Sequence, residues 1–127
     1  IKKKLQKNVR LLGYKKNVFK LLQTSDLLIN TSYFEGFPNV IIEALICSVP
    51  IISSKSGGGV MEILKNGKYG DLYKKNDVKS LINKINLHIN NPIRLYKKSL
   101  LGRKDLNRFS DILSAKKYEK IFETIKF

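Results

Sequence analysis

Ser32-Tyr33-Phe34-Glu35-Gly36-Phe37-Pro38-Asn39-Val40-Ile41-Ile42-Glu43-Ala44 is the stretch of this 127-residue chain on which its fold turns. Just before it, Leu27-Leu28-Ile29 is a continuous apolar run, the pattern of a strand buried on both faces. Gly36 and Pro38 then break the chain, and proline is tolerated in the first turn of a helix. That helix runs to about Cys47, with Val40, Ile41, Ala44 and Leu45 recurring at inward-facing positions. A strand, a loop and a helix in this order place the loop where ligands bind in open α/β sheets, at the carboxyl end of a parallel strand.

The loop meets three chemical needs in order. Gly36 lets the backbone approach a ligand closely, and the free N–H groups of the following helix turn, at Phe37, Asn39 and Val40, make an anion site suited to a diphosphate. Glu43 stands about one turn further in, roughly 6 Å along the helix axis at 1.5 Å per residue, where a carboxylate can accept from both hydroxyls of a ribose. Glu35 lies on the other side of the phosphate position, where it can meet a hexose. Taken in isolation, two glutamates eight apart read as turn chemistry and a solvated helix residue. The surrounding sequence decides between these readings.

Outward from this window, strand and helix signals alternate, which argues for an α/β fold with a Rossmann-like parallel sheet flanked by helices. Residues 9–12 form a short apolar run ending at Gly13, and residues 17–24 carry Val18, Leu21 and Leu22 at helical spacing. Pro50-Ile51-Ile52-Ser53 reads as a strand, Gly57-Gly58-Gly59 as a turn into a short helix over 60–64, and Gly70-Asp71-Leu72-Tyr73 as a fourth strand. Asp77 can cap a helix whose stripe is Val78, Leu81, Ile82, Ile85 and Ile89, ended by Asn90-Asn91-Pro92. A helix over 94–107 and a last one capped by Ser110 complete the pattern. Four strands and three closing helices look like the later part of a doubly wound domain. The chain opens at Ile1 with a lysine-rich run and reads as cut from something longer.

Composition narrows the function classes. A single cysteine excludes an internal disulfide framework, and Cys47 reads as a small apolar side chain buried on its helix. A lone His88, expected at the edge of a helix face, removes His-based triads and multi-His metal sites. No apolar stretch approaches the ~18 residues of a membrane span, and the start lacks the apolar core of a signal peptide, so a cytoplasmic location is expected. The net charge of +15 is carried mainly by lysines scattered along helices. A base-stacking platform needs aromatics interleaved with them, so no nucleic acid partner is expected. A solvated basic face is the simplest reading, and a peripheral contact with an anionic membrane is the alternative.

Five segments carry a resemblance: V-R-L-L-G, S-D-L-L-I-N-T-S, E-G-F-P-N-V-I-I-E-A-L, V-P-I-I-S-S and G-G-x-x-E-I-L-K-N-G-K-Y-G-D-L-Y. In order and spacing they resemble the C-terminal domain of GT-B glycosyltransferases of family 4, the glycosyltransferase group 1 set. The resemblance implies one partial nucleotide-sugar-binding domain over 1–127, whose C-terminal helix, 110–127, packs toward an N-terminal GT-B domain. It implies a retaining transfer from a UDP- or GDP-type nucleotide-sugar to the hydroxyl of a glycan or lipid-linked acceptor, without a cofactor or metal ion. A polysaccharide or lipid-linked glycan made at the inner face of a bacterial membrane fits that class. By the same resemblance Glu35 contacts the donor sugar and is the catalytic candidate, Glu43 binds ribose, and the amides around Gly36, Phe37, Asn39 and Val40 hold sugar and phosphate. Gly13 and Tyr14 match the segment lining the nucleobase pocket.

The chain also departs from the family pattern. The arginine and lysine with which the family neutralises the diphosphate belong to a segment before Ile1, and Lys2, Lys3 and Lys4 do not match it. Ser48 stands where a glycine is usual, at a helix end that prefers one. Val60-Met61 replaces a frequent proline before Glu62, which reads as helix-terminal structure. Gly57 to Gly59 read equally as a turn near the sugar or as a structural loop. The competing function classes are a non-catalytic nucleotide-binding remnant and a membrane-docking module.

Overall fold

The computed structural model describes residues 7–125. Helix α1 (Val18–Gln23) leads to strand β1 (Leu28–Asn30), helix α2 (Asn39–Ile46) to β2 (Ile51–Ser54), and helix α3 (Gly58–Ile63) to β3 (Asp71–Tyr73). Helices α4 (Val78–Asn90), α5 (Pro92–Lys104) and α6 (Asp111–Thr124) follow, with a 3-10 turn at Leu106–Phe109 ahead of α6. The strands form one parallel sheet in the order β1-β2-β3, with Leu28 opposite Ile51 and Ile52 opposite Asp71. Parallel neighbours need crossover connections, which α2 and α3 supply.

Alternation along β2 divides the core between the two faces of the sheet. Ile51 meets Ile41, Ala44 and Leu45 of α2 and Val60 and Ile63 of α3. Ile52 and Tyr73 meet Leu95 of α5, with Leu81 and Ile85 of α4 packed beside them. Ile41, Leu45, Ile51 and Ile52 are each fully buried, a contribution of about 1.5–3 kcal/mol apiece. Caps fix the helix ends: Asn17 accepts from the Lys20 N–H at 3.3 Å and Asp77 from the Ser80 N–H at 2.8 Å. Asn91 both ends α4 and caps α5, accepting from the Arg94 N–H at 3.2 Å.

Buried Asp71 is the electrostatic tie of this core. Its carboxylate accepts a two-pronged pair of hydrogen bonds from Arg94 and a third from Lys98 Nζ at 2.7 Å, while Lys98 also donates to the Gly67 carbonyl at 2.9 Å. Burial pushes the acid up, but the Arg94 and Lys98 hydrogen bonds outweigh it and hold the group at about 2. The pair fastens α5 to the start of β3.

Several sequence expectations are corrected. Residues 9–12 form no strand, and Leu11 is 86% exposed. Among the described residues the sheet therefore has three strands, not the four expected. Ile29 of β1 is exposed because α4 covers β2 and β3 but leaves that side of β1 bare. Within the α4 stripe, Leu81 and Ile85 are partly covered, but Val78, Ile82 and Ile89 face outward, and His88 is buried instead. The helix expected over 94–107 begins at Pro92 and stops at Lys104. Cys47 is only half-buried, at the end of α2. Lys2, Lys3 and Lys4 and the last two residues of the expected 110–127 helix lie outside the described residues.

Ser48 has φ 60°, the left-handed conformation in which glycine is favoured. Arg103 donates to its Oγ at 3.2 Å, and its carbonyl accepts from Ser99 Oγ at 2.8 Å. These contacts hold α5 against the turn leaving α2.

Candidate functional site

The site forms where β1 and β2 end. Asn30, the last residue of β1, donates through Nδ2 to Ser53 Oγ at 3.1 Å and accepts from Ser32 Oγ at 2.8 Å. Ser54 Oγ donates to the Ser32 carbonyl at 2.6 Å, and the Glu35 N–H donates to the Ser56 carbonyl at 3.0 Å. These bonds stitch the loop of residues 31–37 onto the exit of β2. Asn30, Ser53, Ser54 and Ser56 are all buried, a polar seam at the carboxyl end of the sheet.

Glycines complete the seat. A Cβ on Gly57 would lie 2.2 Å from the Glu35 carbonyl oxygen, and one on Gly59 would lie 1.9 Å from the Gly36 carbonyl oxygen. The backbone of the loop rests directly on the first turn of α3. Gly36 itself faces open space, with no protein atom within 4 Å of where its Cβ would be. Phe37 turns its ring edge-on to Phe109, with centroids 5.4 Å apart and planes at 76°.

Beyond the loop, Pro38 is the N-cap residue of α2, and no side chain caps the helix and no acidic residue stands in its first turn. The amides of Asn39 and Val40 therefore keep their capacity to bind an anion. Glu43 is half-buried in the second turn of α2, and Glu35 is half-buried in the loop. Among the described residues neither carboxylate is in an ion pair or a side-chain hydrogen bond.

The structure thus brings Glu35, Gly36, Phe37, Asn39, Val40 and Glu43 into one loop and one helix end. Gly13 and Tyr14 lie on the segment before α1, where Tyr14 is 89% exposed. Gly57 and Gly59 carry the backbone of the loop. Glu62 is exposed on α3, and its carbonyl accepts from Arg108. Sequence reasoning missed the polar seam and Phe109. Four small polar residues at successive strand ends were the available signal for the seam. Lys75 places its ammonium 5.1 Å from the centre of the Tyr33 ring, bringing a cation to the loop.

Two other features lie off the site. Asp105 is lowered by its hydrogen bond from Lys65, with Tyr69 contributing, and ties α5 to the turn after α3. A crevice of about 380 Å³ opens at the amino ends of the strands, lined by Leu22, Val49, His88 and Tyr96 among others. Among the described residues no helix is long and apolar enough to cross a membrane, and no group of three His, Cys, Asp or Glu side chains could hold a metal ion.

Comparison with known proteins gives this arrangement its context. The family model for glycosyl transferases group 1 matches residues 1–104. An uncharacterized glycosyltransferase of Methanocaldococcus jannaschii is 48% identical over 60 residues, 47% of this chain and 15% of its own. The N,N'-diacetylbacillosaminyl-diphospho-undecaprenol alpha-1,3-N-acetylgalactosaminyltransferase of Campylobacter jejuni is 28% identical over 92% of this chain and 31% of its own. The Anabaena protein HepE, solved with UDP and with UDP-glucose, superposes with a TM-score of 0.82 and 25% identity over 96% of this chain and 34% of its own. The chain therefore spans about a third or less of the length of these relatives. The C-terminal domain of a group 1 glycosyltransferase from Francisella tularensis shares the fold, with a TM-score of 0.65 and 19% identity over 78% of this chain and 50% of that one. With the strand–loop–helix site, the parallel sheet and the matched residues 1–104 in agreement, this chain belongs to the group 1 glycosyltransferases.

Proposed function

We propose that this chain supplies the nucleotide-sugar site for a retaining transfer of a glycosyl group to the hydroxyl of a glycan or lipid-linked acceptor. The observation that carries the reading is the uncapped first turn of α2, flanked by two carboxylates that, among the described residues, make no ion pair or side-chain hydrogen bond. The amides of Asn39 and Val40 face the diphosphate, Glu43 clamps the ribose hydroxyls from the second turn, and Glu35 meets the sugar from the loop. UDP is the nucleotide suggested by the complexes of HepE, and lipid-linked acceptors by the C. jejuni relative. GDP remains the other nucleotide of this class.

As the glycosidic bond to the diphosphate breaks, negative charge grows on the leaving oxygens while the anomeric carbon becomes oxocarbenium-like. Helix-end amides oppose the first charge, and the Glu35 carboxylate offsets the second. We expect no metal ion in the reaction. The acceptor and its base belong to a partner domain, and α6 is the element we assign to packing against it. Tyr118, Ile121 and Phe122 are each more than half exposed along its length. A cytoplasmic location, peripheral at the inner membrane face, follows from the acceptor class.

Titration with UDP and UDP-glucose tests the donor site directly. Glu43→Ala should weaken binding by roughly tenfold or more, the loss of charge-assisted hydrogen bonds of about 1.5–3 kcal/mol. Unchanged affinity in that variant sinks the ribose assignment.

A further inference from the structure

We propose that Phe109, backed by Arg108, is a positioning residue for the donor loop, holding Phe37 and the backbone of residues 36–39 where the diphosphate and sugar are received. This rests on the donor-site reading above and adds a residue from another part of the chain. Phe37 is 45% exposed, and the ring that meets it is Phe109, edge to face at 5.4 Å. Phe109 packs in turn on the main core cluster.

Arg108 fixes Phe109 from behind. Its guanidinium carbon lies 4.1 Å from the centre of the Phe109 ring, and its Nη2 donates to the carbonyls of Glu62 at 3.0 Å and Ile63 at 2.8 Å. Those carbonyls close α3, where a cation also opposes the negative end of the helix. Nε stands 2.9 Å from Asp105 Oδ2. The 3-10 turn is thereby locked to the end of α3, while the loop rests on the start of α3 through Gly57 and Gly59. One short helix thus supports the loop at two points, directly through backbone at its start and, by way of the 3-10 turn at its end, through an edge-to-face pair of rings. Ser110, the next residue, caps α6, so the departure of that helix and the seat of Phe37 are set by adjacent residues.

The test uses the whole chain with Phe109→Leu, which keeps apolar bulk but removes the ring, and Phe109→Tyr, which restores the ring. Hydrogen–deuterium exchange without ligand should rise several-fold at the amides of Gly36, Phe37, Asn39 and Val40 in Phe109→Leu. UDP-glucose and UDP should bind roughly two- to tenfold more weakly, the weight of an edge-to-face pair, while uridine, held through Glu43, stays within about twofold. Phe109→Tyr should recover both readouts. Unchanged exchange in Phe109→Leu overturns the proposal, and so does a parallel loss for all three ligands with a lowered melting temperature. If the unaltered chain binds no UDP, the donor-site reading and the ligand part of this proposal fall together. Raised exchange in Phe109→Leu would then still show that Phe109 seats the loop.

Discussion

Replacing Gly59 by alanine is the sharpest test of how the loop of residues 31–37 is held. The added Cβ would lie 1.9 Å from the Gly36 carbonyl oxygen and 2.9 Å from the Phe37 Cα, and Cβ contacts below 3.0 Å essentially never occur. A gap of about 1 Å must open between α3 and the loop. α3 cannot supply it, because Val60 and Ile63 are fully buried in the core. The exposed loop gives way, and Gly36 and Phe37 leave their positions. Overpacking of this kind costs about 1–3 kcal/mol, offset by about 0.5–1 kcal/mol for replacing a glycine inside a helix. The net loss of about 1–2 kcal/mol should lower the melting temperature by several degrees. Misplaced amides should weaken UDP-glucose binding by at least tenfold, as when one charge-assisted hydrogen bond is lost. Gly58→Ala is the internal control, since a Cβ there meets nothing within 4 Å on the same helix. Calorimetric melting and nucleotide titration of both variants decide the matter. Equal behaviour of the two would refute the reasoning, whether both are harmless or both harmful.

Asp71 makes stability depend on pH in a defined window. Its carboxyl is held at about 2 against an ordinary value of 3.8, so its contribution of about 2 kcal/mol is fully present above the ordinary value and fades as pH falls toward 2. Urea midpoints between pH 5 and 2 should fall more steeply for the unaltered chain than for Asp71→Asn, and matching slopes would contradict the assignment. Ser48→Gly should relieve a left-handed residue by about 1 kcal/mol but lose the Arg103 contact to Oγ, leaving a stability equal to or slightly above the original. A clear fall in melting temperature would show that the Arg103 hydrogen bond outweighs the backbone strain.

The strand, the loop and α2 were legible because their apolar positions repeat with the right periods and because proline and glycine punctuate them. Residues 9–12 misled for a physical reason: an apolar run marks a strand only if another strand lies beside it, and pairing partners are not written locally. The stripe on α4 failed differently. Helical period places Val78, Leu81, Ile82, Ile85 and Ile89 on one broad arc, but which part is covered depends on α5 and β3, and the buried position went to His88. At the site, Glu35, the start of α2 and Glu43 stood out as candidates once their spacing was read with the surrounding segments. Their support could not, because Ser56 acts through its carbonyl, Gly59 through a missing Cβ, and Phe109 from more than seventy residues away.

The loop is fastened to its seat mainly by main-chain atoms: the Glu35 N–H on the Ser56 carbonyl, and the Glu35 and Gly36 carbonyls lying against glycines. Main chain is common to every residue, so this fastening is blind to the side chains of Tyr33, Phe34 and Glu35. Tyr33 and Phe34 are 68% and 79% exposed and anchor nothing in the core. The molecule thereby separates mount from tool. Those two side chains can be exchanged without a new fold being found, whereas the two glycines beneath them have no freedom to drift.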